Sequence, residues 1–290
     1  MRPETRTIRF DESAFIKMEN ELPSGSHKHR LAESHIKNAK RLGKKKITVG
    51  SCGNYGYSIF MLAVENDMLA QVFLPAETHI NRLCQVSHPS LKIEFHGNYE
   101  ESVEKSSRFA LENPDYYDAN CFGPNEGVSL DAYAPTADEI IERFSLRIPE
   151  VARTFRIWIP VGNGTTLASV HKRMISLGIQ TTYGIVSSKG NSSPTRSMLE
   201  GRPIEIPSVD VRLSAYNQPL VNQKAVPNTL ELIDIAKGNK VVEVEDHSIA
   251  EAKQALDAMS VKAQPQGCAA LAAYLENKDD KETHLVLITA

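Results

Sequence analysis

The segment "PSGSHKHRLAESHIKNAKRLG" (residues 23–43) sets Lys28 between two histidines, directly after a Ser-Gly-Ser turn. Behind it Leu31, Ile36, Ala39 and Leu42 recur at helical spacing and Gly43 supplies a stop. The spacing predicts a helix that opens near Lys28, with Ser24-Gly25-Ser26 as turn and N-cap. A helix N-terminus carries partial positive charge and disfavours an ammonium. An amine held there has its pKa lowered from the usual value of about 10.4 and is more readily neutral, the state that imine formation requires. Taken alone, the segment also fits a first-turn lysine that reaches out to solvent.

Two other segments show a strand, a tight turn and a helix start. In "GSCGNYG" (50–56) small residues follow an apolar strand and leave backbone N–H groups unblocked, an anion nest suited to a carboxylate, with Asn54 adding a directional side chain. An ordinary βα turn uses the same residue types. In "IPVGNGTTLASV" (159–170) two glycines permit close backbone approach and two threonines offer hydroxyls at a helix start, where the dipole favours phosphate. The loop has neither the GK[ST] ending of a Walker A motif nor the spacing of a GxGxxG fingerprint, so it suits an isolated phosphate.

The rest of the chain repeats this alternation. "KKITVG" (45–50), "LAQVFLP" (69–75), "LKIEFHG" (91–97) and "YYDANC" (116–121) read as strands, with helical patterns between them, including "ETHINRLCQVS" (77–87). A second series runs from "FRIWIPVG" (155–162) through "TTYGIV" (181–186) and "KVVEVE" (240–245) to "HLVLITA" (284–290). Short β-rich runs alternating with helices predict an α/β fold of two lobes, each a mostly parallel sheet flanked by helices, with the active site in the cleft. The stretch 122–135 is expected to cross between the lobes, and residues 188–239 read as loop-rich.

Composition narrows the function classes. Across 290 residues, 33 basic and 36 acidic side chains leave a formal net charge of −3, which supplies no basic field for nucleic acid. The charged N-terminal run "MRPETRTIRFDES" lacks the apolar core of a secretory signal, and no stretch approaches the roughly 20 apolar residues that cross a bilayer. Cys52, Cys84, Cys121 and Cys268 show neither CxxC pairing nor metal-ligand spacing, so free thiols, no metal site and a cytoplasmic location are expected.

An amine primed for imine formation, a carboxylate nest and a phosphate cup, in that order, specify a phosphorylated aldehyde cofactor meeting an amino acid. In these motifs the sequence resembles the fold-type II pyridoxal-phosphate enzymes, the tryptophan synthase β and threonine synthase superfamily. "PSGSHK" is similar to the family's Schiff-base motif, "SCGNYG" to its substrate loop and "PVGNG" to its phosphate loop. "QPQGCAALAAYLE" (264–276) resembles a late helix start, and the terminal "LVLIT" the strand whose hydroxyl faces the pyridine nitrogen.

The resemblance implies pyridoxal 5'-phosphate as cofactor, linked to Lys28, which then carries the proton at the substrate Cα. It implies phosphate binding by Gly162, Asn163, Gly164, Thr165 and Thr166, with His27 as a further phosphate contact, Asn54 on the phenolic oxygen and Thr289 at the ring nitrogen. Ser51, Cys52, Gly53, Asn54 and Tyr55 would receive the substrate. His29 is expected in a structural or solvent-facing role. A smaller substrate-loop lobe would span 45–135 and a larger cofactor-binding lobe 1–44 with 136–290. The implied activity is elimination or replacement of a β or γ substituent on a small amino acid by a threonine-synthase-like lyase, working as a homodimer. Serine or threonine dehydration, cysteine-synthase-like β-replacement, and a catalytically degenerate subunit or sensor are the alternatives. Cys52, Tyr55 and Gln264 depart from the family's usual residues.

Overall fold

A computed structural model of the chain describes residues 4–76, 82–147, 155–207, 220–279 and 282–290, together with Asp210, Ser214 and Tyr216. In chain order its strands are β1 (Thr7–Arg9), β2 (Ala14–Met18), β3 (Lys46–Gly50), β4 (Leu69–Leu74), β5 (Leu91–Phe95), β6 (Tyr116–Asp118), β7 (Phe155–Pro160), β8 (Thr182–Ser188), β9 (Lys240–Val244) and β10 (Thr283–Ile288). The helices are α1 (Lys28–Arg41), α2 (Asn54–Glu65), α3 (Tyr99–Glu112), α4 (Glu126–Asp131), α5 (Ala134–Arg147), α6 (Thr165–Ser176), α7 (Ser193–Glu200), α8 (Thr229–Ala236), α9 (Asp246–Ala258) and α10 (Ala269–Asn277). None of the described helices is long and apolar enough to cross a membrane.

The chain divides into two units, Met1–Leu22 with Tyr133–Ala290, and Pro23–Ala132. These boundaries correct the ones expected from sequence, which set residues 23–44 with the larger unit. The reason is packing: α1 lays its buried residues Leu31, Ala32, Ile36 and Ala39 against α2 and α4, so it belongs to the smaller unit.

In the smaller unit the sheet order is β5-β4-β3-β6, every pair parallel, as βαβ connections require. The strand β3 is a run of buried Ile47, Thr48 and Val49, the pattern of a strand covered on both faces. α3 opens with a capping box, in which the Asn98 side chain accepts from the Glu101 amide and Glu101 accepts from the Asn98 amide. The helix expected over 77–87 is not found in its described part: Arg82–Gln85 form one 3-10 turn, and 77–81 lie outside the described residues. Pro89 follows closely and pushes its predecessor to extended backbone, which limits a helix there.

Under α1 lies a buried polar group. His35 bonds the Tyr117 hydroxyl through Nδ1 at 3.0 Å and the Ser129 hydroxyl through Nε2 at 2.9 Å. Burial pushes the His35 imidazole down to about 3.

The larger unit has a six-stranded sheet, β1-β2-β10-β7-β8-β9, parallel except for the edge pair β1 and β2. The central strand β10 is buried from His284 to Ile288, and α10, buried from Ala269 to Tyr274, lies on β7, β8, β9 and β10. Its alanines let the helix backbone come close to the sheet, beside Trp158, Tyr274 and Ile288 in the core. β1 and β2 were not anticipated. β2 carries Lys17, which is fully buried and donates to Glu139 Oε2 at 2.6 Å and to the Thr5 carbonyl at 2.7 Å. The pair ties β2 to α5 across 122 residues of sequence.

Removing one member of a buried ion pair strands the other, so Glu139→Ala is expected to lose about 3–5 kcal/mol of unfolding free energy in urea titration. A histidine held neutral in the folded state cannot follow the unfolded chain in taking up a proton. Stability is therefore expected to fall as pH drops from 6.5 toward 3, by roughly 3–5 kcal/mol over that window, with His35→Gln flattening the slope in pH-dependent unfolding.

Candidate active site

In both sheets the suspected motifs follow the carboxyl ends of parallel strands, the edge at which open α/β sheets bind ligands. In the smaller unit, β3 ends at Gly50 and the turn Ser51–Gly53 leads into α2 at Asn54. Gly53 holds φ +156° and ψ −98°, a backbone that a side chain would strain. The Ser51 hydroxyl accepts from the amides of Gly53 at 3.1 Å and Gly56 at 2.8 Å, so it closes the turn from within. Tyr55 is buried and its hydroxyl donates to the Ala119 carbonyl at 2.6 Å. The Tyr55 hydroxyl is thus committed to the protein as a donor, while the Ser51 hydroxyl accepts twice within the turn and keeps its own O–H.

Lys28 is the first residue of α1, with His27 as N-cap in helical geometry and making no side-chain cap bond. Burial pushes the Lys28 amine below its usual range, while the thiols of Cys121 and Cys52 act in the opposite direction. Burial raises the Cys52 thiol in turn. The two cysteines come from neighbouring strand ends: β3 and β6 pair with Thr48 opposite Asp118, and the Gly50 amide donates to Asn120 Oδ1 at 2.8 Å. Lys28, Cys52 and Cys121 therefore share one electrostatic neighbourhood. His29 is buried, with Nδ1 meeting no partner, and burial lowers its pKa.

In the larger unit, β7 ends at Pro160 and the turn Val161–Gly164 leads into α6, whose N-cap Gly164 sits at φ +81°. A Cβ there would lie 2.4 Å from Leu232 Cδ1, so both backbone and packing demand glycine. Asn163 Oδ1 accepts from the Thr165 amide at 3.2 Å and from its hydroxyl at 2.9 Å, while Thr165 and Thr166 are buried at the helix start. β10 is the neighbour of β7, with Val286 opposite Trp158, so Thr289 leaves the sheet at the same edge as this turn. Thr289 is buried, and its amide donates to the Gly267 carbonyl at 3.4 Å.

Sequence reasoning missed three residues that the structure sets beside these motifs. Cys121 follows β6, and only strand register reveals its neighbour Cys52. Arg82 bonds Asn54 from a turn that reads as helix. Ser192 caps α7 and donates to the Gly162 carbonyl at 3.4 Å. Its signal was legible: "SSKGNSSPT" (187–195) is another strand–turn–helix with Ser, Gly and Asn in the turn.

A sequence profile of the family described as "Pyridoxal-phosphate dependent enzyme" matches residues 5–289. The chain belongs to this family. Among its relatives is the biosynthetic L-threonine dehydratase of Lactococcus lactis, 22% identical over 94% of this chain and 64% of that protein. The threonine synthase of Methanocaldococcus jannaschii is 24% identical over 54% of this chain and 37% of its own length. The chain thus spans less than two thirds of each of these curated relatives. In fold it is similar to a fungal L-serine ammonia-lyase from Rhizomucor miehei, at a TM-score of 0.76 and 18% identity, covering 95% of this chain and 87% of that one.

Pyridoxal 5'-phosphate is accordingly the cofactor. The residues present fit it. In the smaller unit a lysine amine with a depressed pKa is of the kind that would attack its aldehyde; in the larger, a glycine-shaped turn opens a helix whose N-terminus would suit its phosphate.

Gly164→Ala is expected to lower the thermal midpoint by several degrees, since an L residue at that φ costs about 1–2 kcal/mol before the clash is added. Combining it with Leu232→Ala should lose less than the two single changes summed, as differential scanning fluorimetry can read.

Proposed function

We propose that this pyridoxal-phosphate dependent enzyme eliminates or replaces a β or γ substituent on a small amino acid, in the manner of a threonine-synthase-like or hydroxy-amino-acid lyase. Lys28 holds the cofactor and then moves the proton at the substrate Cα. The turn of Gly162, Asn163, Gly164, Thr165 and Thr166 takes the phosphate, with His27 as a further donor. Asn54 donates to the phenolic oxygen, and the backbone of Cys52 and Gly53 receives the substrate carboxylate. The bound cofactor supplies the electron sink that stabilises negative charge at Cα.

The observation that carries this reading is the Lys28 amine, whose pKa burial lowers at the start of α1. A lowered pKa raises the share of the amine that is unprotonated at any given pH, the form that a base at Cα must have. Thr289 supports the elimination half of the proposal. Its hydroxyl is the group offered to the pyridine nitrogen, and a neutral hydroxyl does not force that nitrogen to protonate. The electron sink is then weaker, and early departure of a leaving group is favoured over transamination. The relative that matches the greater share of this chain is named a threonine dehydratase, which makes a hydroxy amino acid the first substrate to try.

The test is a panel of serine, threonine and their O-phospho and O-acetyl derivatives, with O-phosphohomoserine, followed by absorbance and by mass spectrometry of products. Release of keto acid, ammonia or phosphate from one member is expected. Lys28→Ala should lower that turnover by about 1,000-fold or more, the scale of losing a positioned acid–base group. Silence across the panel with cofactor bound, or full turnover by Lys28→Ala, contradicts the proposal.

A further inference from the structure

Arg82 opens the 3-10 turn of the smaller unit, and its guanidinium lies over the ring of Tyr57, 3.8 Å from the centroid. Its Nη2 donates to two acceptors, the Ser24 carbonyl and, at 3.2 Å, Oδ1 of Asn54. The side chain is partly buried, and among the described residues no carboxylate is bonded to it. It is therefore held for its donors and its stacking on Tyr57, not for an ion pair.

The two acceptors matter because of where they lie. Ser24 belongs to the turn that delivers Lys28, and Asn54 is the first residue of α2. A second contact links the same two places: Ser58 donates to the Asn54 carbonyl at 2.8 Å, and the Ser24 hydroxyl bonds Ser58 at 2.8 Å. Arg82, Ser24, Ser58 and Asn54 thus close a ring of hydrogen bonds around the start of α2.

The ring fixes a chemical identity as well as a position. A carboxamide has an accepting edge and a donating edge, and its terminal torsion is broad and roughly two-fold, so either edge can face a given partner. A guanidinium has donors only. The edge of Asn54 that faces Arg82 must therefore be Oδ1, and Nδ2 is turned the other way. The phenolic oxygen of pyridoxal phosphate, when ionised, needs a donor.

We propose that Arg82 is a positioning residue that orients the Asn54 carboxamide with its NH2 edge toward the cofactor's phenolic oxygen. The inference rests on the role proposed above for Asn54. Without Arg82 the carboxamide loses the donor that selects its Oδ1 edge, and the two edges can exchange.

The test uses the cofactor-loaded protein and reads the position and pH midpoint of the absorbance band of the Lys28-linked cofactor. The proteins compared are wild type, Arg82→Met, Arg82→Lys, Asn54→Ala and the Arg82→Met/Asn54→Ala double variant. Arg82→Met should shift the midpoint in the same direction as Asn54→Ala, by about one pH unit, the scale of a hydrogen bond to a charged group. The double variant should add nothing beyond Asn54→Ala, and Arg82→Lys, which can still donate, should recover part of the shift. If Arg82→Met fails to retain cofactor, Arg82→Leu, which likewise has no donor, is read by the same criterion.

A merely structural role would lower the melting temperature of the variants and leave band and midpoint in place, and that result overturns the proposal. Borohydride reduction of the same samples separates the two levels. A pyridoxyl adduct on Lys28 with an unmoved midpoint removes the role of Arg82 alone. No adduct on Lys28 in the wild type removes the reading beneath it.

Discussion

Partial withdrawal of the Lys28 side chain from water is the constraint on which the proposed chemistry depends. An ammonium in bulk solvent neither attacks an aldehyde nor accepts a proton near neutral pH. Setting it on the first turn of a helix and half-burying it disfavours its charge twice over, through desolvation and through the helix dipole. Sequence suggested the dipole; in the structure burial is the leading cause, and the thiols of Cys52 and Cys121 only partly oppose it. Without a packed α1 neither effect would exist, so the reactivity of one amine is a property of the packing of the smaller unit.

The two sheets deliver their turns by the same principle. Parallel strands all end on one edge, and β3 and β7 are each followed by a helix whose first amides have no partner within the helix itself. Gly53 and Gly164 then occupy backbone conformations that other residues resist, which holds α2 and α6 starting directly after their strands. The rest of each unit keeps those strand ends in register. β10, buried along its length, pairs with both β2 and β7, and the Lys17–Glu139 pair secures β2 to α5. The His35 network does comparable work under α1, joining it to Tyr117 of β6 and Ser129 of α4.

What was legible in the sequence was legible for local reasons. The runs "KKITVG" and "FRIWIPVG" carry β-branched and aromatic residues up to a glycine turn, and their strands are found where expected, as is the helix opening at Lys28. What failed depended on distant partners. β2 contains a lysine that argues against a buried strand until Glu139, far along the chain, is known to neutralise it. "ETHINRLCQVS" has helical periodicity, yet in its described part Arg82 sits in a short turn and its side chain serves Asn54 and Ser24. The stretches proposed for amine and phosphate were visible because each is continuous in sequence. Cys121 and Arg82 were not, since each reaches its neighbours only through strand register or a long side chain. Ser51 and Tyr55 illustrate the converse: their place in a motif was clear, but that their hydroxyls meet the Gly56 amide and the Ala119 carbonyl was not.

The central claim, that the residue-28 amine is the cofactor's covalent anchor, is tested most directly by reducing the protein with borohydride in the presence of pyridoxal phosphate and mapping the adduct by peptide mass. The account predicts one dominant pyridoxyl group, on the peptide containing Lys28. A label spread over surface lysines such as Lys44 and Lys45, or one dominant site elsewhere, would contradict it.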